Sequence, residues 1–233
     1  LDFGIGNELL TRLAFAFGRG DGAAIRRNLA SGYLATAVIA SVMLGVGGFV
    51  FAVVPGLVPS LDRLDATARP IVGATLFGFV VGIPLSLIHR LFYARQEVWK
   101  SSLWQMVGAA LSIVGCLAGI RLKLPAAQIV LLYACAPAVA AAAATVWEFG
   151  RNPEVRLRFM DVRSSDARAL AAGSLRFFTL AVVTSIALNV DNVVIAHNAG
   201  PEAVTNFSIP AKLGSLLMLL VTTLYLPLWA ANG

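Results

Sequence analysis

The chain has 233 residues, 58% of them apolar and 13% charged, with a net charge of +6, a mean hydropathy of +0.81 and a pI of about 9.9. A soluble domain averages roughly 45–50% apolar and about 25% charged residues, so this composition excludes a water-soluble fold around one core, and with it disorder, collagen and coiled coil. What remains is an all-α polytopic membrane protein, whose basic balance is explained by loops retained on the cytoplasmic side and requires no nucleic acid.

Leu1 to Phe17 reads as a helix already in progress, and no basic segment followed by a short apolar run and a cleavage site precedes it. The apolar run that ends at Gly233 has no tail. The chain is therefore expected to be a fragment of a longer protein. A membrane helix needs about 20 mostly apolar residues. No charge lies between Arg27 and Asp62, which places a span at about 29–54. Arg69 and Arg90 bracket a second at about 70–88, Lys100 and Arg121 a third at 101–120, and Lys123 and Glu148 a fourth at 124–147. Two more, at about 177–197 and 207–231, carry one charge each. With the partial helix at 1–17, seven hydrophobic helices are expected. The runs are continuous and too long for the alternating strands of a β-barrel.

The loops at 18–28, 89–100 and 148–176 hold 12 Lys and Arg, and the opposite loops hold four, Arg63, Arg69, Arg121 and Lys123. That asymmetry makes the first side cytoplasmic. Segment 148–176 is the one long connection, with six basic and four acidic residues and the dipeptide Asn152-Pro153. It reads as a cytoplasmic linker between two bundles, with a helix start at Ser165-Asp166. The expected organisation is most of an N-terminal helical lobe at 1–147, the linker at 148–176, and the first two helices of a C-terminal lobe at 177–233.

The middle spans read as scaffold. Gly78-x-x-x-Gly82 and Gly115-x-x-x-Gly119 let backbones approach closely where lipid gives no hydrophobic drive between helices. Gly45, Gly47 and Gly48 crowd one helix, and Pro84 and Pro137 interrupt two others, as packing devices rather than gates. Cys116 and Cys135 lie inside apolar runs without a Cys/His partner at metal spacing, and read as small helix- or lipid-facing side chains.

Charges inside the membrane carry the functional signal, because a charge at the bilayer centre costs roughly 2.5–3.5 kcal/mol and faces a partner or a wet cavity. Glu8 and Arg12 are four apart and share a helix face. They fit an internal salt bridge near the cytoplasmic end. They also fit a cavity in which Arg12 meets an anionic substrate. Ser185, Asn189 and Asn192 form one stripe and Thr184, Asp191 and Asn198, seven apart, another beside it, together too wide a polar face for lipid. Ser208, Lys212, Ser215 and Thr222 share a stripe on the next helix. With a turn near Gly200-Pro201, Asp191 and Lys212 fall at matched depth, about 15 Å from the turn at 1.5 Å per residue. They could pair, contact substrate, or do both.

Two stretches carry a family resemblance. LDFGIGNELLTRLAFAFGRGD, with its Asp-x-Gly-x-Gly, Arg and Gly-x-Gly-Asp, resembles the second helix and first cytoplasmic loop of the polysaccharide-biosynthesis, Wzx-like oligosaccharide flippases. NVDNVVIAHNAGPEAVTNFSIPAKLGSLLMLLVTTLYLPLWA, with its Asp, Gly-Pro-Glu-Ala-Val and Lys, resembles their seventh and eighth helices. That family belongs to the multidrug/oligosaccharidyl-lipid/polysaccharide exporter superfamily. The resemblance implies a two-lobe exporter fold of about 12–14 helices, of which this chain would supply about seven, one partial, from the second to the eighth. It implies transport of undecaprenyl-pyrophosphate-linked oligosaccharide across a bacterial-type cytoplasmic membrane by alternating access, with Arg12 and Lys212 as cavity cations suited to a pyrophosphate. The implied partners are the lipid-linked oligosaccharide, membrane lipids and other polysaccharide assembly proteins.

The substrate-cavity candidates are thus Arg12, Asp191, Lys212, Asn189, Asn192, Ser208 and Ser215. A cation-coupled multidrug exporter is the alternative, with Asp191 as its membrane carboxylate. An enzyme is not expected. The outer loops offer only Asp62, Asp65 and Glu202 as acids, and His89 and His197 lack partners at metal spacing. No Walker motif is present, and no cofactor or metal is expected.

Overall fold

The computed structural model describes residues 4–53, 68–156, 164–200, 203–204, 206–208, 210–218 and 221. These are helical almost throughout, with no strand among them. The helices are α1 (Ile5–Gly18), α2 (Gly22–Val53), α3 (Ala68–Leu85), α4 (Leu87–Ala94), α5 (Val98–Arg121), α6 (Ala126–Arg151) and α7 (Ser164–Ala199), with a 3-10 turn at Pro153–Val155. The described residues between 203 and 221 are also helical. The chain divides into two units, Leu1–Phe178 and Thr179–Gly233.

Among the described residues five helical stretches are long and apolar enough to cross a membrane: Gly22–Val50, Arg69–Ala94, Val98–Arg121, Ala126–Arg151 and Arg168–Ala187. Val98–Arg121, at 24 residues, reaches about 36 Å at 1.5 Å per residue, enough for a hydrocarbon core of about 30 Å. Most of their apolar surface is unburied. Val38, Val42, Val46 and Phe49 on α2, and Met106, Ile113, Val114 and Leu117 on α5, are exposed. In water such stripes would drive aggregation. In a bilayer they are the surface lipid covers, and the chain is a multi-pass helical membrane protein.

Among the described residues there are five such spans, against seven hydrophobic helices expected over the whole chain. The described part of the first helix, α1, has 14 residues, short for a crossing. Much of the stretch 207–231 lies outside the described residues. Within 148–176, Glu148–Arg151 complete α6 and Ser164–Arg176 form the first turns of α7. The expected helix start at Ser165-Asp166 falls one residue inside the observed one.

The turns have identifiable chemistry. After α1, Asp21 N–H donates to Ala16 O and Gly20 N–H to Phe17 O, both at 3.0 Å, with Gly20 at φ +66°. This is a Schellman end, which glycine accommodates because it has no Cβ. Asp21 then caps α2, its Oδ1 accepting from Ala24 N–H at 2.9 Å. The run Gly18-Arg19-Gly20-Asp21 therefore stops one helix and starts the next. The same bond pattern closes α4 through Gln96 and α5 through Lys123, at φ 58° and 53°. Neither position is a glycine, so neither turn stands out in the sequence.

In the first unit, α3 and α5 each pack on α6, α2 packs on α1 and α3, and α4 packs on α1. Ile5, Leu9 and Leu13 of α1 join Leu29, Leu87, Ile88, Leu91 and Phe92 in one buried cluster. The glycines act where backbones meet. A Cβ at Gly78 would lie 2.6 Å from Ala134 Cβ, one at Gly108 3.0 Å from Pro137 Cα, and one at Gly119 2.9 Å from Ile129 Cγ1. Gly45, Gly47, Gly48 and Gly82 face open space. Of the glycines singled out by spacing, Gly78 and Gly119 carry close packing, Gly115 makes ordinary contact with Leu132, and the others carry none.

Pro137 lies inside α6 and has no N–H to give the carbonyl four residues earlier. That carbonyl, Tyr133 O, accepts instead from Ser112 Oγ of α5 at 3.0 Å. A serine on one helix thus repairs the defect a proline makes in its neighbour, as the absence of water in a bilayer requires.

Candidate functional site

The apolar face of α1, Ile5, Leu9, Leu13 and Ala16, is buried, and Glu8 and Arg12 run along its edge, Arg12 seven residues after Ile5. Arg12 Nε donates to Glu8 Oε1 at 2.6 Å, and Arg12 Nη2 donates to Ala169 O of α7 at 2.8 Å. The salt bridge read from the spacing is present. Its side chains are about one quarter and one sixth exposed.

Glycine shapes the contact with α7. A Cβ on Gly173 would overlap the Glu8 carboxyl. One on Gly4, already at φ +77°, would lie 2.5 Å from Ser174 O. The start of α7 is held further by Asp166, whose Oδ2 lies 3.5 Å from Arg27 Nε.

On its outer side Arg12 lines a cleft of about 360 Å³ with Phe15, Arg19, Asp21 and Asn28. The cleft lies at the junction of α1 and α2, where the Schellman turn presents Arg19 and Asp21 engages the backbone of α2. Among the described residues Arg12 Nη1 has no hydrogen-bond partner. The arrangement offers an anion a bridged guanidinium, a second arginine and an amide, at the edge of an apolar bundle. Guanidinium groups suit phosphate oxygens because their donors are planar and can bind in pairs.

The candidates of the second unit do not assemble in the same way. Asp191 and Lys212 are both exposed, and no ion pair joins them. Ser215 Oγ donates to Ala211 O of its own helix at 2.9 Å. Asn198, on the expected polar stripe, donates to Val194 O at 2.8 Å. Ser208 is half-buried. The backbones of Asn189 and Asn192 belong to α7, while their side chains lie outside the described residues. Gly200 has φ +84°, consistent with a turn there, and Pro201 lies outside the described residues.

The one charged residue buried among the described residues was not among the candidates. Glu148, near the end of α6, is 0% exposed. Its Oε1 accepts from Arg95 Nη1 at 2.5 Å and from Asn152 Nδ2 at 2.6 Å. Its Oε2 lies 4.0 Å from Lys100 Nζ. Lys100 also meets Glu97 Oε1 at 2.8 Å. The Trp147 ring has Lys100 Nζ 5.7 Å from its centroid and Arg151 Cζ at 4.8 Å. Arg95 additionally lies over Phe17 at 5.9 Å. This cluster ties the α4–α5 turn to the end of α6. In the sequence these charges mark span ends and enter the orientation count, and nothing in sequence spacing reveals a pair 53 residues apart.

His89 Nδ1 lies 3.1 Å from Ser101 Oγ, so this histidine bridges α4 to α5. Cys116 and Cys135 are free thiols, both half-buried.

No protein-family model, curated protein or solved structure matches the chain.

Proposed function

We propose that the chain belongs to a transporter that moves an undecaprenyl-pyrophosphate-linked oligosaccharide across a bacterial-type cytoplasmic membrane by alternating access. In this reading the described spans are part of a two-lobe exporter of about 12–14 helices, and the loops at 18–28, 89–100 and 148–176 face the cytoplasm. It acts as a flippase, not as an enzyme, and works without a cofactor.

The observation that carries the reading is the cleft at Arg12. It sets a partly exposed guanidinium beside Arg19 and Asn28, at the edge of a helix face that is sealed into the apolar core. A substrate with a charged pyrophosphate and a long hydrocarbon needs such a junction of cation and apolar surface. Glu8 holds Arg12 in place and offsets part of its charge, so an anion can be released as well as bound. The resemblance of the segment around Arg12 to the flippase pattern supports the same assignment.

The test is a gene deletion complemented with wild-type protein or with Arg12→Gln, with lipid-linked oligosaccharide measured by leaflet. The expected result is build-up on the cytoplasmic side in the deletion, relieved by wild type and not by Arg12→Gln at equal membrane abundance. Normal leaflet distribution in the deletion, with new sensitivity to cationic drugs, would overturn the reading in favour of a multidrug exporter.

A further inference from the structure

Arg12 lines the cleft at the α1–α2 junction, yet two of its guanidinium nitrogens are bonded to residues outside that lining. Nε donates to Glu8 Oε1 and Nη2 to Ala169 O of α7. These two nitrogens share one edge of the planar group. The donors left over sit on Nη1 and on the second hydrogen of Nη2, the adjacent pair that takes a phosphate end on. A guanidinium clamped along one edge presents the other in a fixed direction, and a side chain already ordered loses less freedom when a ligand arrives.

Both clamps depend on the same stretch of α7. Ala169 supplies a carbonyl, which within the helix also accepts the N–H of residue 173. Gly173 supplies room: a Cβ there would overlap the Glu8 carboxyl, so the carboxylate is seated against bare backbone. Glu8 thereby stays out of the cleft lining, whose acid is Asp21, engaged by Ala24 N–H. Without α7, Arg12 would lose its acceptor and Glu8 its seat. The carboxylate would then be free to turn to the open edge of the guanidinium and compete with an anion.

Leu170, 1% exposed, anchors this stretch in the buried apolar cluster, Ser174 packs at Gly4, and Asp166 faces Arg27 at 3.5 Å. The last tie is imperfect, since Asp166 Oδ2 is buried with no hydrogen-bond partner among the described residues. Beyond these anchors α7 continues to Ala199, past Phe178 where the first unit ends. Whatever displaces the helix therefore reaches Arg12 directly.

We propose that the start of α7 is a positioning element for the anion site, acting through Arg12: with Ala169 O and Gly173 docked on α1 the cleft binds a phosphate group tightly, and undocking loosens its hold. This rests on the anion-binding reading of the Arg12 cleft and adds what regulates it. By linkage, a bound anion strengthens the docking of α7 in turn.

The full-length protein in detergent micelles is titrated with inorganic pyrophosphate by equilibrium dialysis, and amide hydrogen exchange is followed over residues 166–176. The expected result is saturable binding that slows exchange in that segment, with both effects lost in Arg12→Gln. Leu170 lies outside the cleft lining. Leu170→Ala weakens docking without changing charge, and should raise the half-saturating concentration about fivefold or more at an unchanged number of bound pyrophosphates. Asp166→Asn carries the same test should Leu170→Ala not fold. The proposal expects a rise in half-saturation there, whereas the loss of a negative charge alone would produce a fall. Half-saturation unchanged or lowered in the folded variants would overturn the proposal and leave the cleft as an anion site complete without α7. So would pyrophosphate binding that leaves exchange at 166–176 unaltered. Absence of pyrophosphate binding would overturn the proposal together with the anion-binding reading of the cleft.

Discussion

Ser112→Ala removes one oxygen and tests whether a serine on α5 completes the hydrogen bonding of α6. Tyr133 O has no intrahelical donor because position 137 is proline, and Ser112 Oγ reaches it at 3.0 Å. The hydroxyl also lies 3.0 Å from Gly108 O, but within a regular helix that carbonyl already accepts the N–H of residue 112. The single hydroxyl hydrogen is therefore needed by Tyr133. Ser112 is 5% exposed, so water cannot easily replace it. Interhelical hydrogen bonds in membranes average about 0.6 kcal/mol and reach about 1.7, while an orphaned buried carbonyl costs about 1–3 kcal/mol. Ser112→Ala is accordingly expected to destabilise the folded protein by about 1–2 kcal/mol. Pro137→Ala restores the missing N–H, and in that background Ser112→Ala should cost only a few tenths of a kcal/mol. The assay is a double-mutant cycle by reversible unfolding in mixed detergent–dodecyl sulfate micelles, where a coupling of about 1 kcal/mol is readily measured. Equal losses from Ser112→Ala with and without Pro137 would refute the repair.

Two more outcomes follow from the same packing. Glu148→Ala should cost about 3 kcal/mol in that unfolding assay, the low end for breaking a buried ion pair, because Arg95 is one-quarter exposed and keeps Glu97 nearby; a loss below about 1 kcal/mol would mean the cluster does not hold the α4–α5 turn to α6. Gly173→Ala should cost about 1–3 kcal/mol by overpacking against the Glu8 carboxyl, and Glu8→Ala should recover most of that loss. Failure of Glu8→Ala to rescue would place the strain elsewhere.

The spans were legible because an uninterrupted apolar run has few alternatives at membrane length. Lys123 and Glu148 bracketed a helix observed as Ala126–Arg151, and Lys100 and Arg121 bracketed one observed as Val98–Arg121. The helices extend past the apolar runs because a backbone can stay helical through the headgroup region while its long basic side chains reach water. The start of α7 was legible from its cap alone, Ser165-Asp166 against the observed Ser164, while the turns that follow read as linker for the opposite reason. Asp166, Arg168 and Arg176 gave residues 164–176 the composition of a loop, yet Leu170 and Ser174, four apart, are both buried. The helical period was present there beneath a polar average.

At the candidate site, local information succeeded and remote information did not. Glu8 and Arg12 pair as their spacing of four predicts, but the third member of that contact, Ala169 O, comes from 157 residues away. The same limit governs the loop charges. Arg27, Arg95 and Lys100 enter the orientation count as positive charges, which is sound because acidic residues contribute little to it. Each nevertheless meets an acid in the folded chain, Asp166, Glu148 and Glu97 respectively. A lysine or arginine at a helix end thus does two jobs that sequence cannot separate: it retains the loop on one side during insertion, and it then ties one helix to another. The second job is set by which helices become neighbours, so it becomes readable only when α1, α6 and the start of α7 are placed together. Of the cations singled out by sequence, Arg12 stands where such a placement has already been made, and Lys212 remains on an exposed face. That difference is why the anion-binding reading rests on Arg12.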